Sequence, residues 1–365
     1  MTTLMKANQQ WASRPDDERF TSLDALYGHV NHLRNASSGK VVSSRQLEAR
    51  PDPNDSVTGI EVFGPNGHGF APTHYAFGQL AARAGAPAGY LRTLPAPIAC
   101  DAINYGLRFG SEAEDMGVLI SRANDEPVLR AVTGPNYGRI WNRQVVDQLR
   151  DRFGDGVTGD WRVPGEFGKA VEVTKANTTL YAGDRDMFVF LADEANRIEL
   201  PNRRAGLPGS LARGFFVWNS EVGAATLGVG MFLFDYVCSN RMVWGATQYK
   251  EVRVRHTSAA PDRWLEEVAP ALKTYRESSV APIEAMLLGA QAKRVDDLAE
   301  FLKTRRFAAN MAGKLQAIHE AEEGRPVETL WDISTALTAL ARDIPHQDVR
   351  VALERQAGDI LDLAA

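Results

Sequence analysis

Apolar and polar positions alternate in three different ways along the chain, and each way predicts a different architecture. Residues 1–70 hold few long apolar runs. Arg14-Pro-Asp-Asp-Glu18 fits a short capped helix, and 35–57 has the Ser, Pro, Asp and Asn content of a loop or polar arm. Gly64-Pro-Asn-Gly-His-Gly69 fits a hairpin turn between Ile60-Glu-Val-Phe63 and Phe70. It is not a phosphate loop, because no Gly-Lys-Ser/Thr follows. Residues 71–258 mix helices with strands. Thr73 is placed to cap a helix over 75–84, and Pro87 and Pro97 open two more. Val118-Leu-Ile120 and Val128–Val132 flank the turn Asn124-Asp-Glu126, which predicts a hairpin. Val145, Val146, Leu149 and Phe153 follow at helical spacing. Further strands are expected over 170–174, 186–191, 214–218 and 251–255, and 196–213 reads as a basic loop. The apolar run 225–237 contains Gly228 and Gly230, which favours strand over helix. From 259 to 365 the stripes are helical: Trp264, Val268, Leu272 and Tyr275, then Leu330, Ile333, Leu337 and Leu340. The expected fold is α+β: a central, mainly antiparallel sheet with packed helices over 71–258, then a C-terminal helical region over 259–365, preceded by the polar arm over 1–70.

Composition narrows the function classes without naming one. The 365 residues are 44% hydrophobic and 24% charged, ordinary for a globular protein with a sizeable core. No run approaches the ~20 apolar residues that span a bilayer, and the first ten residues lack the apolar core of a secretory signal. The two cysteines, Cys100 and Cys238, form no disulfide framework and suit a reducing cytoplasm. Net charge is −5, which excludes a uniformly basic nucleic-acid binder. The charge is uneven, however: Lys and Arg outnumber Asp and Glu by 18 to 16 within 117–258, and fall below them on either side.

Catalytic motifs are sparse. The seven histidines are scattered, and no His-Glu-x-x-His, Gly-x-Ser-x-Gly, Walker or Cys-x-x-Cys motif occurs. Asp184-Arg-Asp186 offers two carboxylates on one side of an extended segment, the arrangement hard divalent cations prefer, but it also reads as an ordinary turn before a strand. No cofactor is expected. Nucleic-acid binding has more behind it. Arg197, Arg203, Arg204 and Arg213 lead into Phe215, Phe216 and Trp218; Tyr137, Arg139, Trp141 and Arg143 interleave rings and cations; Lys250, Arg253 and Arg255 lie on a later strand. Single strands are held by cations that track phosphates and by rings that stack bases. The expected interface therefore comprises Arg197, Arg203, Arg204, Arg213, Lys250, Arg253, Arg255 and Arg139, with Tyr137, Trp141 and Trp218 as stacking surfaces.

Several segments resemble one family. Leu129-Arg-Ala-Val132 with Tyr137, Gly183-Asp-Arg-Asp-Met-Phe188, Arg213-Gly-Phe215 with Asn219-Ser-Glu-Val-Gly223, Val237-Cys-Ser-Asn240 and Thr329-Leu-Trp331 look like the motifs of the DUF932, or phage/plasmid-like, family over about residues 73–345. The resemblance implies a phage or plasmid context beside recombination and single-strand-handling genes, but no activity that can be assigned to residues. The hairpin–helix–strand order after Val118 is also similar in topology to the core of Rad52-like single-strand annealing proteins, which form rings. Together these imply a non-enzymatic, oligomeric single-strand DNA annealing or recombination factor. Two alternatives stay open: a phage-type protein that binds a host defence protein, and a metal-dependent nuclease using Asp184 and Asp186.

Overall fold

The computed structural model describes residues 14–110, 115–123, 126–164, 172–204, 207–235, 240–242, 252–342 and 347–364. The class is α+β, with two sheets rather than one. In chain order, β1 (Arg19–Phe20) leads into helix α1 (Leu23–Asn35), then β2 (Ser37–Ser43), β3 (Glu48–Pro51), β4 (Ile60–Phe63) and β5 (Gly69–Pro72). Helices α2 (His74–Arg83), α3 (Ala88–Leu91) and α4 (Ala96–Phe109) precede β6 (Asp115–Ser121), β7 (Val128–Thr133) and α5 (Asn142–Phe153). The strands β8 (Trp161–Arg162), β9 (Leu180–Ala182), β10 (Met187–Asp193), β11 (Ile198–Arg204), β12 (Leu207–Asn219), β13 (Leu227–Asp235), β14 (Asn240–Met242) and β15 (Val252–Val254) follow. The rest is helical: α6 (Ala260–Arg263) runs through a π turn (Trp264–Val268) into α7 (Ala269–Glu277), followed by α8 (Ala281–Ala292), α9 (Leu298–Thr304), α10 (Met311–Glu323), α11 (Leu330–Arg342) and α12 (Gln347–Leu361).

The smaller sheet has the order β2-β6-β7-β5-β4-β3, with one parallel pair, β5 and β7. The larger runs β1-β9-β10-β12-β13-β14, with β8, β11 and β15 pairing at its flanks. Part of the segment expected as a polar arm over 1–70 thus supplies strands to both sheets: β1 to the larger and β2, β3, β4 and β5 to the smaller. β4 and β5 pair as a hairpin across the Gly64–Gly69 turn, with Val62 opposite Phe70. Helices α2 and α4 cover the smaller sheet through Leu80, Ile103 and Leu107, all fully buried. One face of the larger sheet packs on α1, α5 and the 260–277 helices through Leu26, Leu149, Phe215 and Trp264. The helices from α8 onward close a separate core over Ile198, Leu200, Leu211 and Leu233.

Two further sequence expectations need correction. Residues 196–213 are not a loop: β11 and β12 form an antiparallel hairpin. Alternate apolar residues Ile198 and Leu200 bury against the C-terminal helices, and the register jumps between Leu200 and Arg204, where Pro201 has no N–H to give a ladder. Of the strand expected over 170–174, residues 172–174 are irregular, and 170 and 171 lie outside the described residues. The glycine expectation in 225–237 has a direct cause. Trp218 pairs with Gly228 and Phe216 with Gly230, and a Cβ on Gly228 would fall 1.9 Å from the Trp218 ring. The rings lie flat over the glycines, so neither position tolerates a side chain.

Candidate functional site

The Asn219-Ser-Glu-Val-Gly223 segment, which leaves β12, is a buried polar joint between the two sheets. Asn219 Nδ2 donates to the Ile140 carbonyl and to Asn142 Oδ1, both at 2.8 Å. Ser220 Oγ donates to the Arg185 carbonyl and accepts from the N–H groups of Val222 and Ala224, so the hydroxyl closes a turn. Glu221 is 2% exposed. Its carboxylate accepts from Arg130 Nη1 at 3.0 Å and from the backbone N–H of Asn142, the first residue of α5, at 2.8 Å. An acidic group at a helix N-terminus is favoured by the helix dipole as well.

Arg130 reaches this joint because it is the extra residue of a bulge. Leu119 pairs with Ala131 but Ile120 pairs with Leu129, so Arg130 has no cross-strand partner and turns inward. Gln79 on α2 completes the joint: its Nε2 donates to the Val222 carbonyl and its Oε1 accepts from Val132 N–H. The segments from 129, 183 and 219, far apart in sequence, therefore meet at one place.

The joint carries the residues of an open groove on its solvent side. Ser220 O accepts from the Tyr137 hydroxyl at 2.8 Å, and Glu221 O accepts from Arg139 Nε at 2.7 Å. Arg139 lies 5.4 Å from the ring centres of both Tyr137 and Trp141, and the Arg34 guanidinium sits 4.1 Å over Trp141. His256 stacks on Tyr137 at 4.8 Å, with Nδ1 donating to the Gly138 carbonyl. Gly39 on β2 leaves room for Arg139, whose Nη1 would touch a Cβ there at 3.4 Å. Arg34, Tyr137, Arg139 and Trp141, with Gly39 and Lys40 of β2, line a groove of about 540 Å³, and His256 backs it through Tyr137.

The electrostatics are one-sided. Arg34, Lys40 and Arg139 converge on the groove, and no Asp or Glu is among its described lining residues. Burial draws the Arg139 pKa down, partly offset by Tyr137 and Glu221, but an arginine stays charged at neutral pH. Burial raises the Tyr137 pKa, so the phenol remains a neutral donor. Burial also lowers that of His256, which favours the neutral ring. Tyr137 and Trp141 are not bare platforms: each has a cation or a ring against it, and they hold the guanidinium groups in place.

The other expected residues lie elsewhere. Arg213 is 3% exposed; it pairs with Asp193 and donates to the carbonyls of Tyr275, Arg276 and Ser278, which leaves no face for a phosphate. Arg197 pairs with Glu194. Trp218 is buried in the larger sheet's aromatic cluster with Phe188 and Phe216, and Arg253 lies 6.0 Å over its ring. Arg255 is exposed just after β15. The backbones of Arg203 and Arg204 belong to β11, and their side chains are outside the described set, as is all of Lys250. So the structure brings Tyr137, Arg139 and Trp141 together and adds Arg34 and Lys40, while Arg197, Arg213, Arg253 and Arg255 are not among the groove's described lining residues. Asp184 is exposed, Asp186 is ion-paired with Arg14, and among the described residues no group of three or more His, Cys, Asp or Glu converges on a metal-sized centre. No described helix is long and apolar enough to cross a membrane.

No curated protein and no solved structure matches the chain, so the likeness to Rad52-like proteins has no structural neighbour behind it. One family does match, over residues 132–343, more than half the chain; its span takes in Tyr137, Arg139, Trp141 and the Asn219–Gly223 joint. The chain belongs to the DUF932 family, a domain of unknown function.

Proposed function

We propose that this protein binds single-stranded DNA without covalent catalysis, as a strand-handling factor for annealing or recombination. The observation that carries the reading is the convergence of Arg34, Lys40 and Arg139 on one groove with no carboxylate among its described lining residues. Cations packed on rings are held in a fixed orientation, and a guanidinium so held offers two parallel N–H donors to phosphate oxygens. Its flat face also stacks on bases. A duplex has its bases already paired and stacked, so it gains only the phosphate contacts; a single strand gains both.

Fluorescence anisotropy of a labelled single-stranded oligonucleotide tests this. Binding should be tight at low salt and weaken linearly on a log–log plot as salt rises, with a slope of about −0.7 per phosphate contact. Arg34→Ala and Lys40→Ala should each weaken binding and flatten the slope by about that amount. No binding at low salt sinks the proposal.

A further inference from the structure

The groove shares its edge strand with a second concavity of different chemistry. On β2, Ser37, Gly39 and Val41 line the groove alone, and Val42 alone lines a cavity of about 130 Å³ beside the β4–β5 hairpin turn. Successive residues of a strand point to opposite faces, so the two concavities lie back to back across β2. Ser38 and Lys40 border both.

The cavity walls are apolar, with Val62, Phe70, Ile120 and Leu129 among them. Its volume of about 130 Å³ is near the roughly 150 Å³ of an apolar cavity that takes up a benzene ring, which suits one six-membered ring. The mouth is charged: Lys40 and Arg122 stand there. Arg122 lies against Phe70, 5.7 Å from the ring centre. Ser38, Asn66 and His68 also line it, and their side chains make no hydrogen bond among the described residues, so their donors and acceptors are available to a ring edge.

We infer that this cavity takes a pyrimidine nucleotide, with the ring between the apolar walls and the phosphate at Lys40 and Arg122. The rings of the groove are already occupied by cations and by His256, so the groove grips phosphates while the cavity receives a base splayed out across β2. The nucleotide can come from a bound strand, which rests on the groove reading, or be free in solution. The shared chemistry is one pyrimidine ring with its 5′-phosphate.

Fluorine NMR with two probes separates the sources. One is 5-fluoro-2′-deoxyuridine 5′-monophosphate; the other is an oligothymidylate carrying a single 5-fluoro-2′-deoxyuridine, with strand binding followed in parallel by anisotropy. Both resonances should shift on adding protein. Arg122→Glu, an exposed position outside the groove, should weaken monophosphate binding by about tenfold or more, as expected for loss of one charge-assisted contact. Its melting temperature should stay unchanged, and deoxyadenosine monophosphate should fail to compete. A strand that binds while its fluorine resonance stays put overturns the cavity and leaves the groove reading intact. A shifted monophosphate with no strand binding upholds the cavity for free nucleotides and removes the groove reading. Silence from both probes with no strand binding removes both, and a monophosphate shift indifferent to Arg122→Glu overturns the site.

Discussion

Glu221 holds its carboxylate between Arg130 and the first N–H of α5, with Arg130 3% and Glu221 2% exposed. Removing one partner of a buried pair leaves the other charge uncompensated, which costs about 3–5 kcal/mol. Glu221→Ala should therefore lower unfolding stability by that amount in urea titration. Arg130→Met combined with Glu221→Leu should cost less than the single change, because no charge is then stranded. If the double variant is the less stable, the ion pair is not what holds the joint. This scale also shows what a sequence can reveal about single side chains. Tyr137, Arg139 and Trp141 were legible because they alternate within five residues of one segment. Arg34 and Lys40 were not: they reach the same groove only because β2 pairs with β6, setting Lys40 opposite Val118, a contact across almost eighty residues of chain. Arg213 misleads for the opposite reason. Nothing local distinguishes an arginine that faces solvent from one that ties a sheet to the end of α7.

The start of α11 is set by a reciprocal cap. Thr329 Oγ1 accepts from Asp332 N–H, while Asp332 Oδ2 accepts from the N–H groups of Glu328 and Thr329. Arg325 pairs with both carboxylate oxygens, and the His319 ring lies 3.4 Å away. Burial alone pushes this carboxyl up, but the hydrogen bonds and the Arg325 charge outweigh it and hold it well below the usual carboxylate range. A carboxyl depressed in the fold takes up its proton first in the unfolded chain. Its stabilisation is therefore whole above about pH 4, the ordinary Asp value, and drains away as pH falls below that. Asp332→Asn should be less stable by about 3 kcal/mol at pH 7, with the gap to the parent protein narrowing between about pH 4 and 2. A gap independent of pH would show that the charge of Asp332 contributes nothing. Elements with strong periodicity, such as α5 and α11, were readable from their stripes. The β11–β12 hairpin was not, because Pro201 and the glycines that punctuate it are also what a loop contains; only its burial against Leu233 and the C-terminal helices reveals the strands.

At the scale of the molecule, α4 presents two apolar faces. Ala99, Cys100, Ile103 and Leu107 pack inward, while Ile98, Tyr105 and Phe109 are 55%, 69% and 72% exposed. Positions 98, 105 and 109 fall on one side of a helix, and the Tyr105 and Phe109 rings lie 5.3 Å apart. Exposed apolar side chains gathered on one helix face fit an interaction site. The sequence hid it, because a helix apolar on both sides reads simply as a core helix. On the proposed strand-handling reading, a second copy joined there would bring a second groove into reach of the same strand. Two grooves on one strand raise affinity through effective concentration, but only where the strand is long enough to span both. The particle mass in solution should therefore exceed the 40.0 kDa of one chain. Tyr105→Glu with Phe109→Glu should return it to that of a monomer. The same variant should bind a short oligonucleotide as the parent does and lose affinity only for long ones. A parent protein that is already monomeric at high concentration would remove self-association while leaving the groove untouched, since none of α4 lines it.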